Sequence, residues 1–138
     1  MNATFITDRA LFAQHFFKAV PLLQPVIDQA ARGEFTVEDI RRMTEAGRVI
    51  TAIAEKDGET VMAMAFEFVH YPQSVAVNIL ALGGAGLDEV TSAFWSTFKD
   101  WCRSAGASSI EASCSDAMAR LLCRQEFKSV YRVVRAEL

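Results

Sequence analysis

Two glutamates are candidates for a general base. Glu67 and Glu111 each lie within a segment predicted to be a β-strand, so a strand face could present either carboxylate to a substrate. A general base needs a raised pKa and a substrate proton within hydrogen-bond reach. The alternative, which the pattern favours, is that both carboxylates lie on a solvated strand face.

A glycine-rich turn is the second candidate site. The run G-G-A-G at 83–86 leads directly into a predicted helix, where free backbone N–H groups and the positive end of the helix dipole attract phosphate. Asp88 and Glu89 fall in the first turn of that helix, and their charges repel a phosphate. We therefore favour a tight strand-to-helix turn over a phosphate site. The candidates for phosphate binding are the backbones of Gly84, Ala85, Gly86 and Leu87.

The cysteines and histidines predict no metal site. Cys102, Cys114 and Cys123 are an odd number, and no two of them have the C-x-x-C spacing of a zinc or redox motif. His15 and His70 are too few to complete a zinc ligand set. We expect no bound metal, and we expect the cysteines to be small hydrophobic residues in a reducing compartment.

Composition restricts the class of protein. The 138 residues, 51% hydrophobic and 22% charged, suit one packed domain over 1–138 and exclude a fully disordered chain. A net charge of −3 argues against a nucleic-acid binder. No apolar run approaches the roughly 18 residues of a membrane span. Asp8 and Arg9 interrupt the first apolar stretch before a secretory signal could form, so we expect a soluble intracellular protein.

Residues 1–47 are predicted to be mainly helical. Apolar side chains recur at helical spacing over 11–23, and Pro21 is expected to divide this stretch from a second helix at Leu22–Ala31. A third, short helix begins after Thr36, whose side chain can cap it, with Asp39 three residues later.

Residues 48–138 are predicted to form a sheet with two helices. Strands at Val49–Ala54 and Glu59–Val69 are joined by the two-residue turn Asp57-Gly58. Val75–Leu82 is apolar apart from one asparagine and belongs in the sheet interior. The later elements are a helix from Leu87, a strand at Ser109–Ser113, a helix at Asp116–Gln125 and a strand at Val130–Leu138. This order predicts an α/β (α+β) fold, a mixed β-sheet flanked by helices.

The predicted elements follow one another in a familiar order. The buried strand Val75–Leu82, the glycine turn and its helix precede the unit SDAMARLLCRQEF at 115–127. Over roughly Gly33–Leu138 this succession resembles the second half of the fold of the GNAT family of N-acetyltransferases. The resemblance implies a GNAT-like fold whose turn, patterned Q/R-x-x-G-x-G/A, holds the pyrophosphate of acetyl-CoA. It also implies that an amine substrate enters near Glu67 and Glu111.

The chain departs from the GNAT pattern at positions that carry chemistry. The Q/R position of the turn falls on Ala81, whose side chain cannot donate to a phosphate. The tyrosine that many members use as general acid would fall within Leu121–Leu122, and the glycine before Phe127 is replaced by Glu126. The resemblance therefore implies the fold more strongly than the activity.

A narrower resemblance rests on short motifs. The string GEFTVEDI at 33–40, Gly47 before the first predicted strand, and Tyr71-Pro72 are similar to small GNAT-like proteins encoded by bacteriophages. The internal virion protein A of T7-like phages is a distant relative of this kind. The resemblance implies a non-catalytic virion or virion-assembly protein, without a cofactor, first in the host cytoplasm and then in the virion.

The N-terminal aromatic residues are candidates for protein–protein contacts. Phe12 and Phe16 lie one helical turn apart, whereas Phe17 points about 100° away from Phe16, so we do not expect one helix face to bury all three. The expected partners are other virion or assembly proteins, or a second copy of the chain. The alternative function is an acetyl-CoA-dependent N-acetyltransferase of the bacterial cytoplasm, acting on a small amine or a protein amine.

Overall fold

A mixed sheet with helices on both faces organises the chain. The computed structural model describes the backbone of residues 1–138 and every side chain except that of Leu87. The described residues form, in chain order, β1 (Asn2–Ile6), α1 (Arg9–Ala30), α2 (Val37–Glu45), β2 (Ile50–Lys56), β3 (Glu59–His70), β4 (Val75–Gly84), α3 (Leu87–Ser104), β5 (Ser109–Ala112) and α4 (Asp116–Cys123). The predicted fold class is confirmed.

The sheet has the strand order β1-β2-β3-β4-β5. Neighbouring strands are antiparallel except β4 and β5, which are parallel. The hairpin between β2 and β3 turns at Asp57 and Gly58, with φ of +53° and +80° as a type I′ turn requires. The predicted hairpin is therefore confirmed.

Alternation along β3 divides the interior into two hydrophobic cores. Ala63 and Ala65 face α1 and α2, where the small side chains let the helices approach the sheet. Met64 and Phe66 face α3, where Phe66 packs edge-on against Phe98 with ring centroids 5.1 Å apart. Each face of the central strand thus anchors a different helical layer.

The predicted cap of α2 is confirmed. The Thr36 hydroxyl accepts a hydrogen bond from the backbone N–H of Asp39 at 3.2 Å, and Asp39 Oδ2 accepts from the backbone N–H of Thr36 at 2.9 Å. This reciprocal capping box satisfies two backbone donors that the helix start would otherwise leave unpaired.

The predicted break at Pro21 is wrong. Helix α1 runs through both Pro21 and Pro25 without division. Both prolines lie on the exposed side, where water can bind the carbonyl groups that lose an intrahelical partner. Leu23 and Ile27 are buried against the sheet on the other side, and this packing holds the helix together.

The N-terminal part is not entirely helical, because residues 2–6 form β1 along the outer edge of β2. Phe5 stacks on Trp101 of α3 with ring centroids 4.8 Å apart, while Ile6 is buried in the opposite core. A strand of five residues is too short for its period to stand out from the helix that follows.

The predicted strand at Val130–Leu138 is also wrong for this structure. Residues 127–138 adopt neither helix nor strand, and Tyr131 and Val134 are 85% and 90% exposed. A strand is stable only when its backbone and side chains pair with a neighbour, and this segment pairs with none of the described strands. None of the described helices has the length and apolar content needed to cross a membrane.

Candidate functional site

The parallel strands β4 and β5 pair over only part of their length. The ladder runs from Ala76 opposite Ser109 to Ile79 opposite Ala112, where β5 ends, while β4 continues to Gly84. A bulge places Leu80 as an extra residue against β3 at this point. Beyond it, the β5 side of β4 presents backbone hydrogen-bonding groups to a gap in the sheet.

A polar row crosses the sheet next to this gap. Glu67 on β3, Asn78 on β4 and Glu111 on β5 lie opposite one another in register and share the face of Ala65. Asn78 Nδ2 donates to Glu67 Oε2 at 3.3 Å. The structure therefore brings both predicted base candidates to one place, on either side of an amide.

Tyr71 joins the row from the turn between β3 and β4. Its hydroxyl donates a hydrogen bond of 2.6 Å to Glu111 Oε1. This hydrogen bond, followed by partial burial and the charge of Glu111, raises the pKa of Tyr71 above its usual value of 10. Tyr71 therefore stays protonated at neutral pH and acts as a donor that orients the Glu111 carboxylate.

The glycines of the turn meet different requirements. A Cβ atom at Gly83 would overlap the carbonyl oxygen of Leu22 in α1, and one at Gly84 would overlap the carbonyl oxygen of Val61. Gly86 has φ of +63° and borders open space, so its need for glycine is conformational. Close backbone packing explains the first two glycines, whereas a side chain added at Gly86 would meet open space.

The start of α3 carries a mixed charge. Asp88 and Glu89 lie in its first turn, as predicted, and Gly86 caps it without a side chain. Arg124, just after α4, forms an ion pair with Asp88. This guanidinium places a positive charge beside Asp88, which follows the predicted cofactor-binding candidates at 84–87 in the sequence.

A surface groove adjoins that ion pair. It has a volume of about 510 Å³ and is lined by Asp116, Arg120 and Cys123 of α4, together with Arg124 and Ser129. Two guanidinium groups in one groove suit a phosphate-bearing ligand.

The aromatic residues predicted as interface candidates differ in burial. Phe16 is 4% exposed and belongs to the hydrophobic core, so its side chain is not available as the predicted interface anchor. It stacks on half-buried Phe12, with ring centroids 5.1 Å apart. Phe17 is 65% exposed on α1.

All three cysteines are free thiols. Cys102 is buried, and burial raises the pKa of its thiol to about 12. Among the described residues, no group of three His, Cys, Asp or Glu side chains is arranged to hold a metal ion.

Two residues of the site were not found as site candidates by sequence reasoning. Asn78 is a lone polar residue in an otherwise apolar strand, and that interruption was its only signal. Arg124 is separated by 36 residues from the carboxylate that it neutralises, so no local pattern could pair them.

Comparison with known proteins shows the fold. No protein-family model and no curated protein sequence matches the chain. A solved probable acetyltransferase is 10% identical with a TM-score of 0.73, covering 100% of this chain and 97% of that one. A ribosomal-protein-alanine N-acetyltransferase from Brucella melitensis biovar Abortus 2308 is 13% identical with a TM-score of 0.66, covering 99% and 100%. An aminoglycoside acetyltransferase from an uncultured soil metagenomic sample is 15% identical with a TM-score of 0.63, covering 100% and 98%.

These similarities show a GNAT-like fold for this chain. At such low identity they show the fold alone, since one fold supports many functions. The predicted phage origin and virion role receive no support from these structures and remain predictions.

Proposed function

We propose that this chain is an acetyl-CoA-dependent N-acetyltransferase that acts on a cationic amine. One observation carries the proposal. The part of β4 that continues beyond the end of β5 lies between the glycine turn and the row of Glu67, Asn78 and Glu111. A thioester held along β4 could thus meet an amine held by carboxylates. The likeness to solved acetyltransferases supports this reading.

The cofactor side has donors for phosphate. The backbone N–H groups of 84–87 would face the pyrophosphate at the start of α3. Arg124, with Arg120 beside it, would supply the positive charge that Ala81 cannot. Bound acetyl-CoA would supply the activated acyl group.

The acceptor side has two carboxylates with different partners. Glu111 is held by Tyr71 and would bind the substrate ammonium as a fixed negative charge. Glu67 accepts only the long amide hydrogen bond from Asn78 among the described side chains, so its remaining lone pairs can accept a proton. We assign Glu67 as the base that deprotonates the amine before acyl transfer.

Turnover by paired variants tests this assignment. We expect Glu67→Gln to lower the rate of acetyl transfer from acetyl-CoA to small cationic amines by about 10²-fold or more, because a positioned base contributes about that much. Glu59→Gln, at the exposed start of the same strand, is the matched control and should keep the wild-type rate. Mass detection of the acetylated amine avoids interference from the exposed thiols. Equal rates for both variants would contradict the role of Glu67.

A second candidate function is the non-catalytic phage virion or assembly protein. The two carboxylates at the start of α3 and the leucines at the expected tyrosine position favour it. Exposed Phe17 would then be a contact residue. Absence of both cofactor binding and acetyl transfer in the wild-type chain would favour this function.

A further inference from the structure

Two half-buried glutamates of the acceptor side have no cationic partner in the chain. Among the side chains that the structure describes, no lysine, arginine or histidine forms an ion pair with Glu67 or Glu111. Glu55, which is half-buried on the neighbouring strand β2, does have such a partner, because Lys18 Nζ is 3.4 Å from Glu55 Oε2. A carboxylate that is partly removed from water is stabilised by a nearby positive charge. The chain supplies that charge to Glu55 but not to Glu67 or Glu111.

The sheet holds these two carboxylates apart from one another. Glu67 on β3 and Glu111 on β5 are each opposite Asn78 on β4. Because neighbouring strands lie about 4.8 Å apart, the Cα atoms of the two glutamates are about 10 Å apart. Each carboxylate also has its own polar partner, Asn78 Nδ2 for Glu67 and the Tyr71 hydroxyl for Glu111. The site therefore presents two separate negative charges rather than one shared anionic centre.

Apolar side chains lie next to this row on the same face of the sheet. Val69 is two residues beyond Glu67 along β3, and side chains two positions apart in a strand share a face. Leu80 follows Asn78 on β4 and packs on the core beneath α1, to which Ala65 also belongs. Both Val69 and Leu80 are half-buried, so part of each side chain is open to a ligand. The site can thus contact methylene groups as well as two ammonium groups.

We propose that the acceptor substrate is an aliphatic diamine with about four or five methylene groups between its nitrogens, a length that suits two carboxylates whose Cα atoms are about 10 Å apart. This inference rests on the proposed acetyltransferase function and names the substrate class of the same site. Glu67 receives the amine that is acetylated, and Glu111 binds the second ammonium, which does not react. Glu111 is therefore a residue that determines specificity.

Charge also distinguishes the substrate from its product. The reacting ammonium gives up two protons, one to Glu67 and one to the sulfur of CoA, while the thioester C–S bond breaks and an amide C–N bond forms. The acetylated nitrogen is then neutral, and only the second ammonium still has a carboxylate partner, Glu111. We therefore expect N-acetylbutane-1,4-diamine to bind more weakly than butane-1,4-diamine, which favours release of the product.

Calorimetric titration of the full chain with two matched ligands tests the diamine proposal without acetyl transfer. Butane-1,4-diamine has two ammonium groups, whereas 4-aminobutan-1-ol replaces one of them with a hydroxyl group at almost the same length. We expect the wild-type chain to bind the diamine at least about tenfold more tightly, with or without CoA present. Glu111→Gln should reduce this preference to about twofold or less, because it removes the charge opposite the second ammonium. Glu59→Gln, at the exposed start of β3, is the matched control and should keep the preference. Equal affinities of the wild-type chain for the two ligands would overturn the proposal.

Acetyl-transfer kinetics separates a failure of this inference from a failure of the proposed function. We expect Glu111→Gln to raise KM for butane-1,4-diamine at least about tenfold with little change in kcat, since Glu111 binds a nitrogen that does not react. Glu67→Gln should lower kcat instead. Transfer to both ligands with equal kcat/KM would overturn the diamine proposal and leave the acetyltransferase function in place. Selective binding of the diamine without any acetyl transfer would support the diamine site and contradict the acetyltransferase function.

Discussion

The two halves of the sheet are built differently. The antiparallel half pairs along nearly the full length of its strands, and Ala52, Ile53 and Ala54 of β2 are completely buried. The parallel half pairs β4 with β5 at four positions, after which β5 ends and β4 continues without it. Polar side chains and open backbone groups collect where that pairing stops. Continuous pairing provides stability in the first half, and interrupted pairing leaves room for chemistry in the second.

The largest expected loss of stability follows from a substitution in the buried core that joins the two halves of the sheet. Phe66→Ala should lower the free energy of unfolding by about 3–5 kcal/mol, because it leaves a cavity beneath α3 among Phe5, Phe98 and Trp101. Urea denaturation measures the change. Phe17→Ala, at an exposed position, should change stability by no more than about 0.5 kcal/mol. Similar losses in the two variants would contradict the described core.

Two glycines of the turn are required for different reasons: Gly83 for close packing and Gly86 for its backbone conformation. Gly83→Ala should cost about 3 kcal/mol, because its Cβ would overlap the backbone of α1, which cannot move away alone. Gly86→Ala should cost about 1–2 kcal/mol, the penalty of a left-handed backbone conformation for an ordinary residue. Thermal or urea unfolding of the two variants compares them. A larger loss of stability in Gly86→Ala than in Gly83→Ala would contradict these two explanations.

Much of the fold could be predicted because its signals are local. The capping residues Thr36 and Asp39 and the turn Asp57-Gly58 lie within a few residues of the structure that they form. The continuity of α1 through Pro21 depends on burial against the sheet, which is a long-range effect. The outcome at Val130–Leu138 depends on whether a neighbouring strand is present, and periodicity carries no information about that.

The candidate site was predicted in part for the same reason. Glu67 and Glu111 stand out as carboxylates in strands, but their common position depends on the register of three strands. Tyr71 was noted as part of the Tyr71-Pro72 motif, and its hydrogen bond to Glu111 spans 40 residues. Long-range pairings of this kind leave no periodic trace in the sequence.

Substitutions that change the charge at the start of α3 should have a smaller effect, on the affinity for acetyl-CoA. Asp88→Asn should tighten binding of acetyl-CoA about threefold to fivefold, because it removes a negative charge near the phosphate. Arg124→Ala should weaken binding by a similar factor, because it leaves Asp88 without its cation. Calorimetric titration measures both. Glu45→Gln, on the distant helix α2, is the control and should not change the affinity.

The smallest effect concerns the titration of Tyr71. Its hydrogen bond to Glu111 raises the pKa of Tyr71, so the folded chain should contribute stability below pH 10 that is lost as the pH rises through the folded-state pKa. Ultraviolet titration of phenolate should show this high-titrating tyrosine, and Tyr71→Phe should remove it. Glu111→Gln should bring the pKa of Tyr71 back toward 10. An unchanged titration in Glu111→Gln would contradict the contact.

Calorimetric titration of the wild-type chain with acetyl-CoA tests the central claim most directly. The acetyltransferase proposal predicts saturable binding at micromolar affinity. A ligand at a hundred times its dissociation constant should stabilise the fold by about 2.7 kcal/mol, which a rise in melting temperature would reveal. A flat titration up to millimolar acetyl-CoA, with no change in melting temperature, would contradict the proposal and leave a GNAT-like fold that works without this cofactor.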